Sequence, residues 1–222
     1  MLIRIFPQTP FRQNTRVVVC EDTKLAICVD PGEESVKVKD FLIENGLTLQ
    51  AITLTHGHLD HVGGTLFLKS NFPEADVLIH KDDEFLYYGL PEQPIRMGID
   101  AKQLEELGMK YLNPPPVSRN WIHGECYQVG NLQFRILHCP GHTPGHVVLA
   151  EEERRHVFVG DCLFAGSIGR TDLPGGNHLQ LINSIKSLIL PLGDDFIVHS
   201  GHGADTTIGR ERRTNPFLSE CV

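Results

Sequence analysis

Apolar and polar residues alternate with a two-residue period at the start of the chain and then give way to longer blocks. Leu2 to Phe6, Thr15 to Cys20 and Leu25 to Val29 read as paired strands, the last two joined by the turn Glu21-Asp22-Thr23-Lys24. Asp30-Pro31-Gly32 stops the third strand. Ser35 to Gly46 has helical spacing, with Val36, Phe41, Leu42 and Ile43 apolar and Gly46 as the C-terminal stop. Ala51 to Thr55 is predicted as a buried strand, the residues from Gly63 to Lys69 as the start of a helix, and Asp76 to Ile79 as a further strand.

Lys81 to Gly130 breaks that rhythm with acidic and aromatic residues, Pro114-Pro115-Pro116, and helical pieces near Asp82 to Tyr88 and Asp100 to Leu107. It reads as an excursion of about 81–130 from the scaffold, of the kind that overhangs a site as a lid. Strand patterns return at Leu132 to His138, His146 to Ala150 and His156 to Val159, followed by a helix near Leu179 to Leu190 and a last strand at Phe196 to His199. Two sheets flanked by helices, in one α/β (α+β) domain spanning 1–222, fit this order better than a regular strand-helix repeat.

Composition narrows the classes. At 41% apolar and 22% charged residues the 222-residue chain has the make-up of a globular protein with a substantial core. A net charge of -8 disfavours nucleic acid as a partner. No run approaches the ~18 apolar residues that a membrane span needs, and Met1 to Pro7 lacks the pattern of a signal peptide. Six cysteines without a Cys-x-x-Cys pair read as reduced thiols, so a cytoplasmic location is expected.

The candidate chemistry lies in Thr55-His56-Gly57-His58-Leu59-Asp60-His61, directly after a predicted buried strand. Three imidazoles and a carboxylate within six residues suit Zn, Fe or Mn, and the absence of cysteine argues against a closed structural zinc site. Three later strand ends each add one possible ligand beside glycine: His142 in Pro140-Gly141-His142-Thr143-Pro144-Gly145-His146, Asp161 in Gly160-Asp161, and His202 in Gly201-His202-Gly203. His138, His146 and His199 read as supports for the ligands, His80, His123, His156 and His178 as surface histidines, and Cys162 as a packing residue.

Asp30, the His56–His61 cluster, His142, Asp161 and His202 stand in the order of the motifs of the metallo-β-lactamase superfamily, which the chain resembles along its whole length. That resemblance implies a four-layered αββα sandwich of two mixed sheets flanked by helices. It also implies two divalent metal ions, most readily Zn with Fe or Mn as alternatives. His56, His58 and His142 would hold one, Asp60, His61 and His202 the other, and Asp161 would bridge them. Asp60 would also serve as a catalytic proton carrier.

Within that superfamily the 140–146 tract, Gly169-Arg170-Thr171-Asp172-Leu173-Pro174-Gly175-Gly176-Asn177, and the tail from Thr207 to Phe217 resemble the glyoxalase II (hydroxyacylglutathione hydrolase) group, especially its short single-domain bacterial members. The implied activity is hydrolysis of a small-molecule glutathione or related thioester to a hydroxy acid and a free thiol, by hydroxide held on the metals. The C-terminal helical domain that binds glutathione in longer members is not expected here, which leaves Arg170, Thr171 and Asn177 as candidate substrate contacts. The Arg170-Thr171-Asp172 tract is also similar to mononuclear iron persulfide dioxygenases, in which His56, His142 and Asp161 would hold the iron. A domain that binds a metal or thiol metabolite without turnover is the third reading.

Overall fold

Every residue of Gln13–Val19 is buried, so this strand has no solvent face and belongs in a sheet covered on both sides. The computed structural model describes residues 1–96, 98–100, 102–103 and 113–219. In it this strand is β2 of a six-stranded sheet ordered β1 (Leu2–Gln8), β2, β3 (Leu25–Val29), β4 (Thr48–Thr53), β5 (Asp76–His80) and β6 (Arg119–Trp121). β1, β2 and β3 pair antiparallel, whereas β3 to β6 run parallel. The second six-stranded sheet is ordered β14 (Thr206–Thr207), β13 (Ile197–Ser200), β10 (His156–Gly160), β9 (Val147–Glu151), β8 (Leu132–His138) and β7 (Cys126–Val129). Between β10 and β13 the chain makes the small hairpin β11 (Leu163–Phe164) and β12 (Ser167–Ile168).

Alternate residues of β2 enter different layers. Val17 and Val19 pack outward with Val38 and Leu42 of helix α1 (Val36–Glu44) and with Leu68 of a later helix, Thr65–Asn71. Val18 points inward, where Ile27 and Ala51 meet Phe134, Ile136, Leu149 and Phe158 of the second sheet. The far face of that sheet, with Leu137, Val148, Val157 and Val159, is covered by Leu181, Ile182, Ile185 and Ile189 of the segment that starts as the helix His178–Ser184 and continues as a π turn over Ile185–Ile189. The result is helix, sheet, sheet, helix, in agreement with the four-layered αββα expectation.

The differences from the sequence reading are local. The segment 81–130 is only partly an excursion, because β6 and β7 inside it complete one edge of each sheet. Both are short, and β7 exposes Cys126 and Gln128 while burying Tyr127 and Val129, so its apolar content is too small to announce a strand. The strand predicted for Ala51 to Thr55 lies earlier, at Thr48–Thr53, because Leu54 and Thr55 already lead into the histidine turn. The predicted helix Asp100 to Leu107 lies mostly outside the described residues. Among the described residues no helix is long and apolar enough to cross a membrane.

Candidate metal centre

The parallel strands set the site by aiming their C-terminal ends at one edge of the sandwich, where ligands of such sheets collect. Asp30 follows β3, His56 to His61 follow β4, Asp161 follows β10 and His202 follows β13. His142 sits in the turn between β8 and β9. All seven residues named as ligands from the sequence meet there. One group is His56, His58 and His142, another is Asp60, His61 and His202, and His56, His61 and Asp161 form a third that overlaps the first two; within each, the ligand atoms lie within 4.8 Å of one another.

Hydrogen bonds orient these rings so that one nitrogen of each faces the centre. His56 places Nδ1 3.0 Å from Thr55 Oγ1, His61 gives its Nδ1 proton to Asp30 Oδ2 at 3.0 Å, His142 gives its Nδ1 proton to the Arg170 carbonyl at 2.7 Å, and His202 gives its Nδ1 proton to the Phe11 carbonyl at 3.0 Å. Each bond leaves Nε2 inward, the arrangement by which a supporting acceptor fixes the tautomer of a metal-binding histidine. His58 points Nδ1 inward instead, 3.0 Å from His142 Nε2. Asp161 reaches both groups, with Oδ1 3.4 Å from His61 Nε2 and Oδ2 3.7 Å from His142 Nε2 and 3.6 Å from His202 Nε2.

The fit to a cation is visible in what these atoms lack. Nε2 of His56, Nε2 of His61 and Oδ1 of Asp161 are buried with no hydrogen-bond partner. Leaving such groups unmatched is costly, and a metal ion at their convergence satisfies all three. The electrostatics agree. Burial, reinforced by His142, drives His58 down to about 3, and burial with the neighbouring imidazoles holds His56 well below the ordinary histidine value, so both are neutral and ready to coordinate. Burial opposes charge on His61 as well, but the carboxylates of Asp161 and Asp60 and the bond to Asp30 push it well up. Burial likewise opposes charge on Asp161, and His61, His142 and His202 outweigh it, holding the carboxyl far below its usual range. Carboxylates that draw a proton onto a buried imidazole are a place where a cation is at home.

Several supports were not assigned from the sequence. Asp30 is 2% exposed, and beyond His61 it takes the Thr55 N–H and the Thr55 hydroxyl, both at 2.7 Å. Its φ of 52° is unusual for a residue other than glycine and turns the chain sharply off β3. Gln93 accepts the Leu59 N–H at 3.0 Å and donates to the Gly57 carbonyl at 2.7 Å. Arg16, buried in β2, donates to the Ser200 carbonyl at 2.7 Å and to Asp205 Oδ1 at 2.6 Å, which braces the turn of His202. For Asp30 the available signal was its place at the end of a strand, as it was for Asp161.

Of the histidines expected to support ligands, His146 bonds a ligand residue directly, while His138 and His199 bond groups beside the ligand turns. His146 accepts the Asp161 N–H at 3.1 Å and stacks on His56, and His138 donates to the Pro144 carbonyl. His199 bonds Asp205, and His156 lies behind it, 2.8 Å from His199 and hydrogen-bonded to that ring. Cys162 packs 3.2 Å from both Cys139 Sγ and His146 Nδ1, buried.

A cleft of about 320 Å³ opens over the centre, lined by Phe11, Leu59, Leu173 and Arg170 together with His58, Asp60, His142, Asp161 and His202. Asp60 and His202 are the more open of the ligands, at 17% and 26% side-chain exposure. Of the three candidate substrate contacts, Arg170 alone lines this cleft among the described residues, and its guanidinium forks onto both oxygens of Asp172 at 2.7 Å. Asn177 is committed elsewhere: its side-chain oxygen caps the helix His178–Ser184 through Gln180 N. Thr171 lies against Gly176, where an added Cβ would meet its carbonyl at 2.4 Å.

Three comparisons place the chain. A family model described as the metallo-beta-lactamase superfamily matches residues 9–202. A hydroxyacylglutathione hydrolase GloC of Haemophilus influenzae is 43% identical over 222 residues, covering 99% of this chain and 99% of that protein. Among solved structures, TTHA1623 in a di-iron-bound form is 38% identical with a TM-score of 0.82 over 96% of this chain and 100% of that one. BLEG-1 B3 metallo-beta-lactamase is 34% identical with a TM-score of 0.84 over 98% of this chain and 100% of that one.

Proposed function

From the premise that this chain belongs to the metallo-beta-lactamase superfamily, we propose that it is a metal-dependent thioester hydrolase of the glyoxalase II type, with two divalent metal ions, most readily zinc, at the centre described above. The observation that carries this reading is the convergence of seven ligand residues, three of whose inward atoms are buried without a hydrogen-bond partner, in a chain alike along its length to a hydroxyacylglutathione hydrolase. His56, His58 and His142 would hold one ion, Asp60, His61 and His202 the other, and Asp161 would reach both. Bound there, the metals would lower the pKa of a water so that hydroxide is available as nucleophile at neutral pH, and would supply positive charge for the carbonyl oxygen.

The residues themselves account for the rest of the chemistry. Phe11, Leu59 and Leu173 form an apolar wall against which an acyl chain can lie. Asp60 stands at the mouth with Oδ2 3.2 Å from His202 Nε2. Burial raises its pKa, but His61 and His202 outweigh that and keep it a carboxylate. Asp60 is thus placed to take the proton of the attacking water and return it to the departing thiolate. Arg170 offers a guanidinium at the rim for a substrate carboxylate, in exchange for its own bond to Asp172.

The test is direct. Purified protein should release free thiol from S-lactoylglutathione without consuming oxygen, and His56→Ala or Asp161→Ala should remove that activity while His156→Ala leaves it near wild type. Oxygen uptake with glutathione persulfide, in place of thiol release, would replace the hydrolase reading by that of a dioxygenase.

A further inference from the structure

One fully buried carboxylate beside the centre has no role in the ligand set. Asp83 follows β5 and precedes the helix Glu84–Tyr88, the position at which an aspartate ordinarily caps a helix. It makes no side-chain cap bond. Instead Oδ2 accepts the Gly57 N–H at 2.9 Å and the Thr143 hydroxyl at 2.7 Å, and Oδ1 accepts the Gly145 N–H at 2.6 Å. Gly57 lies between His56 and His58, and Thr143 and Gly145 follow His142. One side chain therefore ties together the two turns, 84 residues apart at His58 and His142, that carry the whole first group of imidazoles.

The glycines of those turns are the counterpart of this contact. A Cβ on Gly57 would stand 2.7 Å from Leu86 Cβ and 2.9 Å from the Asp83 carbonyl, and one on Gly145 would stand 2.5 Å from Asp83 N. Neither glycine has a positive φ, so the close approach of the 83–87 backbone, rather than turn geometry, keeps them bare. On the far side of the 143–145 turn His138 holds the Pro144 carbonyl at 2.8 Å.

We propose that Asp83 is the positioning residue of the first metal site, setting the separation of the His56–His58 turn from His142 and through it the affinity of that site. The proposal rests on the ligand assignment of the preceding subsection. Only a carboxylate meets the requirement: an asparagine offers one acceptor oxygen, so its amide nitrogen must face either the Gly145 N–H or the Gly57 N–H, and one of the two turns is released.

The test compares Asp83→Asn, Thr143→Val and Thr143→Ser by chelator competition for zinc at each site, by the visible absorption of the cobalt-loaded protein, and by far-ultraviolet circular dichroism. Asp83→Asn should keep its fold, lose about 10–100-fold in first-site affinity, the usual cost of removing a supporting hydrogen bond, and shift the cobalt bands. Thr143→Val should fall between it and the wild type, and Thr143→Ser should match the wild type. A folded Asp83→Asn chain with wild-type affinity and an unaltered cobalt spectrum would overturn the proposal. If that variant does not fold, Thr143→Val decides alone, and an unchanged affinity there is equally fatal. Zinc content undiminished by His142→Ala, with Asp83 intact, would instead overturn the ligand assignment.

Discussion

Arg16 and Asp205 form a charge pair behind the turn of His202. Arg16 is 3% exposed, and Asp205 neutralises it at 2.6 Å. Burial pushes the Asp205 carboxyl up, yet the bond from His199 and the charge of Arg16 hold it below its ordinary value. A carboxyl with a depressed native pKa stabilises the fold above its unfolded value of ~3.9 and loses that contribution as pH falls through the native value. Asp205→Asn should therefore cost about 3–5 kcal/mol at pH 7, the cost of stranding a buried charge, and the gap from wild type should close below about pH 4; urea midpoints at pH 7 and pH 3 measure both. The histidine cluster was legible in the sequence because four ligands lie within six residues. Asp83 and Asp205 were not, because the partners that define them are backbone amides and side chains in distant turns.

At the scale of the elements, strands of five or more residues with several buried apolar side chains were legible in the sequence, and the shortest edge strands were not. β3 and β8 have the predicted limits, and both bury their apolar residues on two faces. β6, β7 and β14 have two to four residues each at sheet edges and depend on neighbours for their pairing. The helix expected from Leu179 to Leu190 begins one residue earlier, behind the cap Asn177, and widens into the π turn before Pro191. The layer between the sheets offers the clearest test of the packing. Phe134 is fully buried there, its ring centroid 6.2 Å from that of Phe158. Phe134→Ala should destabilise the protein by about 3–5 kcal/mol, as read from denaturant midpoints, with thiol release by the surviving folded fraction unchanged.

Taken whole, the molecule is a sandwich whose two sheets share one apolar layer and whose open edge carries the centre. His56, His58, Asp60 and His61 come from the first sheet, and His142, Asp161 and His202 from the second. Ions bound at that seam, as proposed, would link the two sheets in addition to the core. Metal that binds only the native state stabilises it by about 2.7 kcal/mol when present at 100 times its dissociation constant. Removal with a chelator should thus lower the melting temperature by several degrees, and zinc should restore it; a melting temperature indifferent to both would mean that the seam holds by packing alone.

The spread of the ligands along the chain also orders their arrival during synthesis. His56, His58 and His142 are all made before Asp161 and His202. A ribosome-bound chain therefore carries all three imidazoles of the first group before it carries Asp161 or His202, so on the proposed assignment the parts of the first site are complete before those of the second.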